Sequence, residues 1–294
     1  MTMTEQKERI TASLFRDKKV WIALLATIAL AVLLAALVIW SLLAPAPERA
    51  EDDEEEELEE EIAPLLVTRR QLEEMTYTDS SLGELRWELT EESLEELDRV
   101  LRDYGITTPE AISQFLAQAA VETAAGRYLT ELGDDAYFRK YGYTTGTRGA
   151  GYLHLTFSYG QMAFAVWMMR REVPELADIE YVNPAGHGEE EIADSYYAAL
   201  RRAANLGLDI SDYSRIVYDE GSPVETGADY IAQRFAWESA GYYWVTNSIG
   251  EALSSAPGTE NTDTASQLVG GGNWQSRREA YEAYYPVLAE KTLS

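Results

Sequence analysis

Residues 20–44, VWIALLATIALAVLLAALVIWSLLA, contain no charged side chain. A run of this length, coiled as a helix, crosses about 30 Å of hydrocarbon with its backbone amides satisfied internally. A single transmembrane helix over 20–44 is therefore predicted, each Leu, Ile and Val favouring insertion by roughly 0.3–0.6 kcal/mol. Lys7, Arg9, Arg16, Lys18 and Lys19 precede the run and acidic residues follow it. The positive-inside bias then assigns residues 1–19 to a cytoplasmic tail and the rest of the chain to the far side of the membrane. Cleavable leaders have shorter apolar cores of about 7–15 residues, which favours a retained anchor; LLAPAPERA beyond the run keeps cleavage open as the alternative.

The next segment, ERAEDDEEEELEEEIAP over 48–64, is dominated by like charges that repel one another and resist burial. Residues 45–75 are expected to form an acidic linker, with a cation- or partner-binding tail as the competing reading. A domain is expected over 76–294. Over the whole chain 24 Lys+Arg face 51 Asp+Glu, a formal net charge of −27. That balance argues against nucleic acid and anionic lipid surfaces as partners. Cysteine is absent, so disulfides, thiolate zinc sites and thiol nucleophiles are excluded together. His154 and His187 are the two histidines, and neither lies in a metal-ligand spacing. No metal and no organic cofactor is implied.

Within the domain, Leu94, Leu97, Val100 and Leu101 recur at helical spacing before a stop at Gly105. Thr107, Thr108 and Pro109 open a second helix that carries Ile112, Phe115, Leu116, Ala119 and Ala120 on one stripe. GYLHLTF over 151–157 alternates and predicts a short strand. DSYYAALRRAANLG, ADYIAQRFAWESAGYYWV and SRREAYEAYYPVLAE read as helices. The fold class is mainly α with a small β element.

One carboxylate, Glu122, sits on the flank of the apolar stripe, and Glu131 follows nine positions later. Read structurally, Glu122 is a helix-end residue paired with Arg127, and Glu131 is a turn residue. Read chemically, an apolar flank disfavours the charged carboxylate and predicts a raised pKa, suited to a proton donor, while a carboxylate in a wetter loop stays ionised.

LDRVLRDYGITTPEAISQFLAQAAVETAAGRYLTELGDDAYF resembles the opening of the catalytic domain of glycoside hydrolase family 19, the chitinase and phage endolysin family. TRGAGYLHLTF, YIAQRFAWESAGYYW and VGGGNWQSRREAYEAYY resemble three later elements of that family in the same order, together covering most of residues 90–290. The resemblance implies a lysozyme-like, two-lobed, α-rich domain that cleaves β-1,4 bonds beside N-acetylated aminosugars by inversion. Such a reaction needs an acid and a base about 6.5–9.5 Å apart. Glu122 matches the family's general acid, and Glu131 the general base that some endolysins carry.

Thr156 matches a hydroxyl that holds the attacking water. Arg148 and Arg277 match basic positions that bridge to cleft carboxylates or to substrate. Tyr152, Trp237, Tyr242, Tyr243 and Trp244 are candidates for stacking on sugar faces, although most must be core at this density. Asn273 falls in the closing motif, and His154 stands where the family has Gln. Val121, Gly160 and Gly270 are further departures from the family pattern.

The expected function is thus a membrane-anchored glycosidase facing the cell wall, with peptidoglycan the first substrate and a chitin-like glycan the second. Its contacts are that glycan and, through residues 20–44, the lipid bilayer, with no nucleic acid. Protein partners are not indicated. The alternatives are a catalytically degenerate glycan-binding or scaffold protein on the same fold, and an assembly component in which the span and spacer matter more than the cleft.

Overall fold

The computed structural model describes residues 64–79 and 82–290. The expected span at 20–44, the tail at 1–19 and most of the acidic linker lie outside the described residues. Among those described, no helix is long and apolar enough to cross a membrane. They belong to a compact unit bounded at Ala63–Ser294.

The domain begins earlier than the expected boundary at residue 76. Helix α1, Arg69–Glu74, is opened by a capping box in which Thr68 and Gln71 satisfy each other's backbone amides. Val67, Leu72 and Met75 are buried in the core. Leu66 donates its amide to Asp98 at 2.6 Å, and Arg102 reaches the Pro64 carbonyl at 2.7 Å. The correction has a compositional cause: acid gives way to apolar residues at LLV, and burial of these side chains fixes the backbone around them.

Strands β1, Tyr77–Asp79, and β2, Gly83–Leu85, pair antiparallel with Tyr77 opposite Leu85. The helices that follow are α2 (Glu91–Asp103), α3 (Pro109–Thr123), α4 (Asp135–Lys140), α5 (Ser158–Glu172) and α6 (Glu189–Leu206). Beyond them come α7 (Ser211–Ser214), α8 (Ala228–Arg234), α9 (Ala236–Thr246), α10 (Ile249–Ala252), α11 (Thr259–Val269) and α12 (Trp274–Ala289). The described chain is mainly helical. Its small β element is the 77–85 hairpin, and the strand expected over 151–157 is not formed. That segment is a tight reversal with isolated bridges from Ala150 to Thr130 and Leu155. Gly151, His154 and Phe157 all take positive φ there, which an extended strand forbids.

Thr90 and Thr108 cap α2 and α3 as their positions predict, and Pro109 opens α3. The expected apolar stripe of α3 is buried, but so are Ser113, Gln114 and Gln118 on its other faces. The helix therefore runs through the interior, with α12 and α11 packed against it. Polar groups inside need partners. Glu110 accepts from Gln114, Asn261 and the Tyr281 hydroxyl, which ties α3 to α11 and α12.

Apolar side chains gather in two clusters. One holds α2, α3 and α12 with Trp237 and Trp244; the other holds α5 and α6 with Tyr230 and Tyr242. Helix α9 feeds both, and Tyr243 packs against each.

Candidate functional site

Helix α3 ends by turning left. Ala124, Ala125 and Gly126 have φ of 51°, 58° and 89°, and the Thr123 hydroxyl accepts from the Gly126 amide at 2.9 Å. Glu122 therefore projects from the last turn of the helix. A carboxylate there meets the negative end of the helix dipole, so it needs a cation. Helix α12 supplies Arg277, which is 2% exposed and whose guanidinium donates to Glu122 Oε1, to Gln118 Oε1 at 2.5 Å and to the Gly272 carbonyl at 3.1 Å. A Cβ on Gly271 would strike both Arg277 and Glu122, so any larger residue there must shift this ion pair. Arg127, the partner expected for Glu122, is engaged with Glu88 instead.

His154 approaches from the 151–157 reversal, with Nδ1 3.5 Å from Glu122 Oε2 and Nε2 3.4 Å from the Tyr128 carbonyl. Burial alone would raise the pKa of Glu122. The neighbouring His154 and the Arg277 charge outweigh it and bring the pKa from 4.5 down to about 2. This corrects the sequence expectation. The carboxyl is enclosed as foreseen, but its contact with His154 and the Arg277 charge together hold it ionised.

Glu131 is set by the bridge between Thr130 and Ala150, with its own amide donating to the Gly149 carbonyl at 2.8 Å. Three donors converge on its carboxylate: Tyr143 Oη at 2.7 Å, Tyr137 Oη at 3.2 Å and the Gly149 amide at 3.2 Å. Burial and the nearby negative charge push both tyrosine pKa values up, which keeps these phenols protonated as donors. A side chain on Gly149 would press against His154 and touch Glu131, so this glycine lies between the neighbour of Glu122 and the second carboxylate.

Both carboxylates line one groove of about 630 Å³, together with His154, Thr156, Tyr143, Tyr243 and Gly271. Thr156 donates its hydroxyl proton to the His154 carbonyl at 2.7 Å, leaving its lone pairs to accept from a groove molecule. Asn183, Asn247, Gly160 and Gly270 also line it.

Other expected site residues lie elsewhere. Tyr152 and Trp237 stack on each other in the core, ring centroids 3.4 Å apart and 11° from parallel, with Trp237 donating to Ser93 Oγ. Their expected substrate contact is corrected to core packing, and Trp244 is likewise buried. Arg148 is committed to Asp229 at 2.6 Å and does not line the groove. Asn273 is exposed, with φ of 58°, at the turn that opens α12, and is also outside the groove lining. Arg277 is at the site, bound to Glu122. Val121 packs against the first cluster.

The groove residues that sequence reasoning missed are Tyr143, Tyr159, Asn183 and Asn247, together with Tyr137 behind Glu131. The one available signal was the tyrosine density of AYFRKYGY, residues 136–143. No protein-family model, no curated protein and no solved structure matches this chain.

Proposed function

We propose that the chain is a membrane-anchored glycoside hydrolase with a lysozyme-like, two-lobed domain, cleaving β-1,4 bonds of an N-acetylated aminosugar polymer by inversion. Peptidoglycan is the first substrate and chitin the second, with the domain on the cell-wall side of the membrane. The observation that carries this reading is that Glu122 and Glu131, selected from the sequence alone, open onto the same groove.

In this reaction Glu122 protonates the glycosidic oxygen as the C–O bond breaks. A water attacks the anomeric carbon from the opposite face and yields its proton to Glu131. An ionised carboxylate offers about four lone-pair sites, and three donors on Glu131 leave one for that water. Thr156, its proton already committed, accepts the water's other hydrogen. Glu122 carries no proton of its own at neutral pH. The acid step therefore needs one delivered, and the His154 imidazole, with Nδ1 3.5 Å from the carboxylate, is the adjacent group able to pass it.

The ion pair between Glu122 and Arg277 also favours a second reading, a glycan-binding protein whose acid has been silenced. Incubating the full-length chain with purified peptidoglycan and with chitin oligomers separates the two, with new reducing ends followed by mass spectrometry. The hydrolase yields new ends, Glu122→Gln yields none, and the first product has inverted anomeric configuration. Glycan binding without product selects the second reading. Absence of both binding and product discards the two together.

A further inference from the structure

Beyond the groove, five aromatic rings form a continuous contact chain. Tyr159 stacks on Phe157 at 5.1 Å and 10°. Phe157 meets the edge of Tyr143 at 5.3 Å, Tyr143 stacks with Tyr141 at 6.4 Å, and Tyr141 touches Tyr137 at 5.0 Å. The first three rings line the groove. Tyr141 and Tyr137 carry the chain out to the surface, where they are 50% and 41% exposed.

The outer rings are held in place. The Tyr137 hydroxyl is anchored on Glu131, and its ring lies so close over Gly133 that a Cβ there would sit 2.5 Å from Tyr137 Cδ1. Tyr141 has the Lys140 ammonium 5.2 Å from its ring centroid. Six aromatic side chains are exposed among the described residues, and Tyr137 and Tyr141 are the two of these in ring contact with each other, beside a groove residue, which core packing does not explain.

We propose that Tyr141 and Tyr137 form an outer binding strip on which further sugar rings of the polymer lie after leaving the groove on the Glu131 side. This rests on the glycosidase reading and extends it by making the chain a reader of long glycan strands. Three observations select the occupant. The strip is continuous with the groove, so a linear polymer held in one reaches the other. Tyrosine presents a flat apolar face with a polar rim, matching a pyranose that has C–H faces and hydroxyl edges. The Glu131 carboxylate, to which Tyr137 donates, stands beside the strip and favours uncharged N-acetylglucosamine rings over a polyanion.

Tyr141 is the residue to change, because Tyr137 also holds Glu131. Binding of a β-1,4-linked N-acetylglucosamine dimer and hexamer to the full-length chain is measured by calorimetry for the parent, Tyr141→Ala and Tyr141→Trp. The strip predicts that the parent prefers the hexamer. It also predicts that Tyr141→Ala weakens the hexamer about tenfold without changing the dimer, and that Tyr141→Trp restores the difference. Equal hexamer affinity in the parent and Tyr141→Ala, or an equal loss for both oligomers, overturns the strip and leaves the groove reading standing. A parent that binds neither oligomer overturns the strip, while the glycosidase reading is decided separately by the hydrolysis assay on peptidoglycan.

Discussion

Glu122 combines two demands that pull against each other. A proton donor wants an apolar pocket, while a carboxylate at the end of a helix wants a cation. Here the cation prevails, and the consequence is measurable as acid stability. The native state gives up the Glu122 proton more readily than the unfolded chain, whose pKa is near 4.5. The resulting stabilisation is complete above that pH and is lost as pH falls toward about 2. Glu122→Gln should cost roughly 3 kcal/mol at neutral pH, and the gap from the parent should close near pH 2, as urea denaturation at both pH values will show. A gap of unchanged size in acid would mean that the ion pair contributes no net stability. The place of Glu122 was legible in the sequence because a carboxylate on the flank of an apolar helical stripe stands out, whereas its contact with Arg277, 155 positions away, follows from the packing of α12 on α3. Tyr137 and Tyr143 were not legible, because hydrogen bonds to Glu131 depend on a loop path that no spacing encodes. Tyr152 and Trp237 were misread for a related reason: an aromatic residue in a helix-rich chain carries no mark of whether its face meets sugar or another ring.

At the scale of elements, helices with threonine caps and regular apolar spacing were readable, as α2 and α3 illustrate. The three-residue strands at 77–85 are too short to impose a period, and the reversal at 151–157 imitates one while depending on left-handed backbone at His154 and Phe157. Glu96 on α2 illustrates what spacing leaves out. Burial raises its pKa from 4.5 to about 7, against the pull of the Trp237 and Glu238 amides at the start of α9 and of Arg99. One of its oxygens is buried without a hydrogen-bond partner. The folded state therefore favours the protonated acid, and the stability this confers is full below pH 4.5 and lost as pH rises through about 7. Glu96→Gln should raise the melting temperature above neutral pH and flatten its decline across that window. A decline as steep as the parent's in thermal melts would assign the pH dependence to other groups.

For the molecule as a whole, the two apolar clusters share α9 and a polar clasp. Glu238, 1% exposed, accepts from Tyr104 Oη at 2.6 Å and pairs with Arg99 at 2.6 Å and Arg171 at 2.9 Å, joining α2, α5 and α9. Trp167 adds a bond to the Tyr104 hydroxyl at 3.2 Å. Tryptophan fluorescence and far-ultraviolet circular dichroism should report one coincident unfolding transition for the parent domain. Glu238→Ala should destabilise it by about 3 kcal/mol and separate the two signals. Coincident transitions in that variant would show that the shared helix alone couples the clusters.

The bare backbone at Gly271 carries a consequence for how such a chain can be altered. The space that a methyl group would claim there is already taken by Arg277 and Glu122. Even the smallest replacement would displace the tips of Arg277 and Glu122 and disturb their ion pair. Gly272, with open space around it, tolerates side chains freely. Two neighbouring glycines thus differ in what a substitution disturbs, and a mutational scan across them would read the position of a single buried cation from the outside.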